Sequence, residues 1–194
     1  ADIEAQRTRV SAPGDRPLRV LAIGDSLSAG SYVSDPSLSW PNLVAGAVGQ
    51  TTPVELNVEA LAGQRVADAV ARGVKTAGQD LVLVELGTND VNETDLAAFS
   101  ASYEQLLSQV RSSSPDAAII CLTPWQTENR ARDYIATIDE LCGKTTDISS
   151  IFSKPGMRIL DGQPYFGGLT PDNFHPGAKG HAAIADAYTA WVLV

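Results

Sequence analysis

An α/β domain, its parallel sheet covered by helices on both faces, is the fold this sequence predicts. Two observations carry that expectation. Strand-like and helix-like patterns alternate five times between Leu18 and the C-terminus, an order that builds a parallel sheet through helical crossovers. The strand candidates also include continuous apolar runs, Leu81-Val82-Leu83-Val84 foremost. A strand buried on both faces reads that way, whereas a half-exposed one alternates. With 194 residues, 44% of them hydrophobic and 19% charged, the chain has the composition of a globular protein with one sizeable core.

Residues 1–17 are polar, carry Pro13, Gly14 and Pro17, and read as an irregular lead-in; residues 18–194 read as the single domain. Leu18–Ile23 is the first buried strand. Trp40–Val48 is a helix, with Pro41 in the first turn, where its missing N–H is tolerated. Val54–Val58 is a short strand, Val66–Thr76 has helical periodicity, and Asp80–Leu86 is the third strand. Thr94–Arg111 is the longest helix, with Leu96, Phe99, Tyr103, Leu106, Leu107 and Val110 on one stripe. Ala117–Leu122 is a buried strand, Ala131–Cys142 a helix and Met157–Leu160 the fifth strand. Pro176 opens a last helix that runs to about Val192, with Ala183, Ile184, Ala187, Tyr188 and Trp191 facing inward.

Bulk properties narrow the partners. A net charge of −9 argues against nucleic acid or an anionic membrane as the main partner. No apolar stretch reaches the roughly 20 residues that cross a bilayer, and no signal-peptide pattern is visible. The sequence begins at Ala1 rather than Met, which slightly favours a secreted or excised mature domain over a cytoplasmic protein. Cys121 and Cys142 are either one disulfide or two small buried thiols, since spacing alone does not place their Cβ atoms.

Four polar motifs follow strand candidates or lie in the last loop. In open α/β sheets that end of the sheet is where ligands bind. Gly24-Asp25-Ser26-Leu27-Ser28 follows the first strand, and Asp172-Asn173-Phe174-His175-Pro176 precedes the last helix. They supply the hydroxyl, imidazole and carboxylate of a serine nucleophile site. A serine hydroxyl needs a base to take its proton, and the chain has only two histidines. His175 is the candidate base; His181 lies within the last helix pattern and reads as an ordinary helix residue. Asp172, three residues before His175, can reach back to Nδ1 through one loop turn; alone it would read as a cap or turn residue. Gly87-Thr88-Asn89-Asp90 follows the third strand, and Asn89 can donate its side-chain amide to an oxyanion. Ala62-Gly63-Gln64 follows the second strand; Gly63, lacking a side chain, can bring its N–H close to a ligand.

On these residues the chain resembles the SGNH or GDSL hydrolases, over roughly 18–194. Gly24-Asp25-Ser26-Leu27 is similar to the family's first block, Gly63 to the second, Gly87-Thr88-Asn89-Asp90 to the third and Asp172-x-x-His175-Pro176 to the fifth. The resemblance implies a three-layer α/β/α sandwich, flavodoxin-like, with five parallel strands. It implies Ser26 as nucleophile, His175 as base and Asp172 as its partner, with an oxyanion hole formed by the Ser26 and Gly63 N–H groups and Asn89. Ser28 occupies the last position of what would be a Gly-x-Ser-x-Gly elbow, which disfavours the α/β-hydrolase architecture.

The expected activity is hydrolysis of carboxylic esters on a small-molecule or carbohydrate substrate, with short acyl groups such as acetyl, and no cofactor or metal is expected. An acyltransferase with the same triad is one alternative. A flavodoxin-like phosphate- or flavin-binding protein is another, which leaves Asp172 and His175 without a job. Trp125 and Phe174 are the expected substrate-binding aromatics, ahead of Trp40, Tyr32 and Phe166. Glu85 ends an apolar strand and needs a partner, for which Arg65 is a candidate. Arg130 and Arg132 read as a solvated face.

Overall fold

The computed structural model describes residues 8–10, 13–33, 35–160 and 172–193. A two-residue strand, β1 (Thr8–Arg9), precedes β2 (Leu18–Gly24), α1 (Trp40–Val48), β3 (Val54–Ala60), α2 (Val66–Arg72) and β4 (Leu81–Glu85). Then follow α3 (Leu96–Ser113), β5 (Ala118–Leu122), α4 (Glu128–Cys142), β6 (Thr145–Thr146), α5 (Ser149–Phe152), α6 (Ala178–Thr189) and β7 (Val192–Leu193). Five strands make one parallel sheet in the order β3-β2-β4-β5-β6. Counted within the sheet this is the 2-1-3-4-5 order of flavodoxin-like folds, whose strand order reverses beside the first strand. That switch point lies at the carboxyl ends of β2 and β4.

The period of two along the central strands explains the three layers. Leu18, Val20, Ala22, Leu81, Leu83, Ile120 and Leu122 pack with Trp40, Val44 and Val48 of α1 and Ile184, Ala185 and Tyr188 of α6. Their neighbours Leu21, Ile23, Val82, Val84 and Cys121 face the other way, against Val66 and Ala69 of α2, Phe99, Tyr103, Leu106, Leu107 and Val110 of α3 and Ile138 of α4. Every residue of β4 is buried, as its uninterrupted apolar run requires. β3 lies at the sheet edge and is half-exposed along its length, which is why Glu55 and Glu59 are tolerated there. A disulfide joins Cys121 in β5 to Cys142 at the end of α4.

Several expected elements differ. The fifth strand is Thr145–Thr146, not Met157–Leu160. Two threonines carry no periodic signal, and pairing with β5 alone defines them as strand. Residues 157–159 bond instead to the histidine loop: Ile159 N–H donates to the His175 carbonyl (3.1 Å) and Gly177 N–H to that of Met157 (3.0 Å), with Arg158 bridged antiparallel to Pro176. α6 ends at Thr189 rather than near Val192, because Val192–Leu193 pairs parallel with Thr8–Arg9. Thr8–Arg9 of the lead-in is therefore a strand. α2 stops at Arg72, where Gly73 turns the chain with a φ of 69°.

Candidate active site

β2 is an interior strand between β3 and β4 and ends at Gly24, so the next residues emerge at the switch point. The chain turns at once: Ala29 N–H donates to the Asp25 carbonyl and Ser31 N–H to that of Ser26, both at 2.9 Å. Position 24 admits only glycine. A Cβ there would fall inside the Ser28 hydroxymethyl group and 2.7 Å from Glu85 Oε2. Ser26 is exposed by only 7%, and its Oγ lies 3.0 Å from His175 Nε2.

The histidine loop is built around Asp172. Its Oδ1 accepts the Phe174 and His175 N–H groups at 2.9 and 2.8 Å, and its Oδ2 lies 2.7 Å from His175 Nδ1. Burial pushes this carboxyl up, but the His175 N–H, the His175 ring and the Phe174 N–H together hold it below the ordinary carboxylate range. At neutral pH it is an anion that can only accept. Nδ1 must then carry the proton, which leaves Nε2 free to accept from the Ser26 hydroxyl. Trp125 Nε1–H donates to the Phe174 carbonyl (2.7 Å) and Arg158 Nη1 to that of Asn173 (3.0 Å), so the loop is anchored on two sides. The Tyr32 ring stacks on the His175 imidazole with centroids 4.5 Å apart and planes 24° off parallel. Phe174 meets the same ring edge-on at 5.4 Å.

The loop after β4 joins the other motifs to this pair. Thr88 Oγ1 accepts from Trp125 N–H (2.9 Å), and Asp90 caps α2 by accepting from Val66 N–H (3.1 Å). Asn89 Nδ2 donates to Asp25 Oδ2 (2.9 Å) and to the Gln64 carbonyl (3.0 Å). A primary amide has two hydrogens, so a third acceptor must share one of them. Gly63 has a φ of 76°, a conformation glycine adopts freely, and the space where its Cβ would stand is open. Among the described residues the Ser26 and Gly63 N–H groups donate to no protein acceptor.

Beneath the serine lie two fully buried carboxyls, Asp25 and Glu85. Glu85 Oε2 accepts from Ser28 Oγ (2.7 Å) and from Asp25 N–H (3.3 Å), while Asp25 Oδ1 accepts from Leu27 N–H (2.9 Å). Burial pushes Asp25 up to about 7, and burial together with the Asp25 charge raises Glu85 well above its ordinary value. Asp25 is not among the sequence-predicted site residues, and its signal is an acidic residue placed directly after an apolar interior strand.

Ser26, His175 and Asp172 are brought together, and Gly63 and Asn89 border the same strand ends. Other expectations need correction. Trp125 is fully buried in the core and cannot line a substrate pocket; its indole anchors the histidine loop instead. Trp40 is likewise core, stacked on Tyr188. Phe174 is half-buried. Glu85 is not paired with Arg65, which bonds to Asp68 at 3.7 Å; its partners are Ser28 and Asp25. Phe166 lies outside the described residues. Arg130 and Arg132 are exposed. His181 is fully buried, and its Nδ1 accepts the Trp40 N–H at the start of α1 (3.2 Å). Among the described residues no three His, Cys, Asp or Glu side chains converge as metal ligands would, and no helix is long and apolar enough to cross a membrane.

Comparison with known proteins places the chain in a family. The cellulase/esterase CelE of Acetivibrio thermocellus is 29% identical over 116 residues, which are 57% of this chain and 14% of that protein. A two-domain esterase active on acetylated mannans superposes with a TM-score of 0.68 at 24% identity, over 90% of this chain and 48% of that one. A family two carbohydrate esterase from Clostridium thermocellum gives 0.65 at 19% identity, over 93% and 65%. An extracellular lipase from Streptomyces rimosus gives 0.67 at 20% identity, over 90% and 99%. At these identities the structures speak to the fold, and the chain spans only 48% and 65% of the two carbohydrate esterases' lengths. Residues 22–183 match the GDSL-like Lipase/Acylhydrolase family. That stretch runs from the end of β2 through the other four strands of the sheet into α6, and on it the chain belongs to the GDSL-like lipase/acylhydrolase family.

Proposed function

We propose that this chain is a serine esterase that cleaves carboxylic esters through an acyl-enzyme on Ser26. One observation carries the reading: Ser26 Oγ is 3.0 Å from His175 Nε2, and His175 Nδ1 is 2.7 Å from an ionised Asp172. In this reading His175 Nε2 takes the hydroxyl proton as Oγ attacks the ester carbonyl. Asp172 holds the ring in the required tautomer and offsets the charge of the imidazolium. The oxyanion collects hydrogen bonds from the Ser26 and Gly63 N–H groups and from Asn89, one of whose amide hydrogens it shares with Asp25 or Gln64. His175 then returns the proton to the departing alcohol, and a water activated by the same nitrogen releases the acid.

For the substrate we favour short acyl groups, acetyl on carbohydrate foremost, with Phe174 beside the bound ester. Carbohydrate esterases recur among the similar structures, including one active on acetylated mannans; this is analogy at the level of fold. The test is hydrolysis of p-nitrophenyl esters from acetate to palmitate by wild type and Ser26→Ala, together with acetylated oligosaccharides. Acetate should be cleaved fastest, and the mutant should lose activity on every ester. Turnover that survives Ser26→Ala would refute the reading, and transfer to an added alcohol in place of hydrolysis would identify an acyltransferase.

A further inference from the structure

We infer that Tyr32 is a positioning residue for the catalytic base: stacked on one face of the His175 imidazole, it fixes the ring plane that aims Nε2 at Ser26. The inference rests on the esterase reading above. Three observations support it. Tyr32 is one of two residues other than glycine with positive φ among the described residues, at 67°. The other is Asn92, and asparagine tolerates that conformation far better than a bulky aromatic does. A tyrosine held there signals that the surrounding structure imposes a backbone cost for something the side chain does. What the side chain does is visible: its ring lies 4.5 Å from the imidazole centroid and 24° from parallel.

The imidazole needs that support. Its ring turns on the Cα–Cβ and Cβ–Cγ bonds, and among the described residues the side-chain hydrogen bonds that hold it are those of Nδ1 to Asp172 and Nε2 to Ser26, both in the ring plane. Tilting about Cβ–Cγ displaces Nδ1 together with Nε2, so the Asp172 bond and a ring packed on the imidazole face oppose the same swing. Phe174 meets the ring only edge-on, at 5.4 Å. The stacked phenol face blocks the swing, and it presents π density to a ring that becomes cationic when it takes the serine proton. The short loop couples this support to the nucleophile, because Ser31 N–H donates to the Ser26 carbonyl at 2.9 Å.

The test uses Tyr32→Phe, Tyr32→Gly and Tyr32→Asn in the full chain, with p-nitrophenyl acetate and butyrate as substrates. Tyr32→Phe keeps the ring and should retain kcat. Glycine and asparagine accept the left-handed backbone without a ring, so Tm should hold or rise. In both, kcat should drop roughly 10-fold, by the same factor on both esters and with KM unchanged. A crystal structure of Tyr32→Gly should show the imidazole rotated out of line with Ser26. An imidazole still 3.0 Å from Ser26 Oγ would overturn the proposal whether or not the chain proves to be an esterase. Unaltered kcat, a loss confined to KM on one substrate, or a fall in Tm that parallels the activity loss would overturn it as well. Failure of the esterase reading itself would appear separately, as wild-type turnover unaffected by Ser26→Ala.

Discussion

His181→Asn should make the protein less sensitive to acid. The His181 side chain is fully buried, and burial is the main reason its protonation falls to about pH 4 from an ordinary 6.5. The unfolded chain binds that proton near 6.5 and the folded chain only near 4. The group's contribution to stability is therefore complete above 6.5 and disappears as pH falls through 4. A displacement of that size, at about 1.4 kcal/mol per pH unit, amounts to about 3 kcal/mol. Protonating Nδ1 also removes the acceptor for the Trp40 N–H, one of the orphan donors at the start of α1. Asp25 acts in the opposite direction over much of the same range. Its folded value is raised to about 7, so its contribution is complete below about 4 and lost as pH rises through 7. A wild-type profile alone would blend the two, whereas the difference between wild type and His181→Asn isolates the histidine, because asparagine has a comparable acceptor and does not titrate. Urea unfolding followed by tryptophan fluorescence, with the disulfide intact, measures that difference at pH 7.5, 6, 5 and 4.5. The advantage of wild type should shrink by most of about 3 kcal/mol across the series. An offset that stays constant over the whole range would refute the reasoning.

Two further outcomes follow from the site and the core. Asn89→Ala should lower kcat on p-nitrophenyl acetate by on the order of 10²–10³ with little change in KM, the cost of losing one oxyanion donor; near-normal kcat would remove Asn89 from the hole. Cys142→Ser should destabilise the fold by about 3 kcal/mol, the loop-closure value for a bridge of this span, across a sequence separation of 21. Its kcat should be unchanged, since the bridge lies among α2, α3 and α4 on the face of the sheet away from α1 and α6. Unfolding midpoints that coincide with wild type would show that the bridge does not form in solution.

Much of this molecule is determined by sequence alone. The central strands are legible because burial on both faces demands unbroken apolar runs, and Leu81–Glu85 and Ala118–Leu122 have them or nearly so. The long helix is legible because Phe99, Tyr103, Leu106, Leu107 and Val110 repeat at helical spacing and all are buried. Ser26, His175, Asp172, Gly63 and Asn89 are legible as candidates because few residue types can serve as nucleophile, base or donor, and they stand just after strands or in the loop before the last helix. Tertiary structure decides what depends on contacts between distant segments. Thr145–Thr146 is a strand only through its partner β5, and Met157–Ile159 is diverted from the sheet by the histidine loop. The Cys121–Cys142 bond depends on where β5 and α4 place two Cβ atoms. Trp125 becomes an anchor rather than a pocket wall, and Tyr32 meets His175 across 143 positions of chain. Periodicity and residue type report on neighbours along the chain; which groups the buried carboxyls meet and which ring covers the imidazole are set by packing between segments that no local pattern connects.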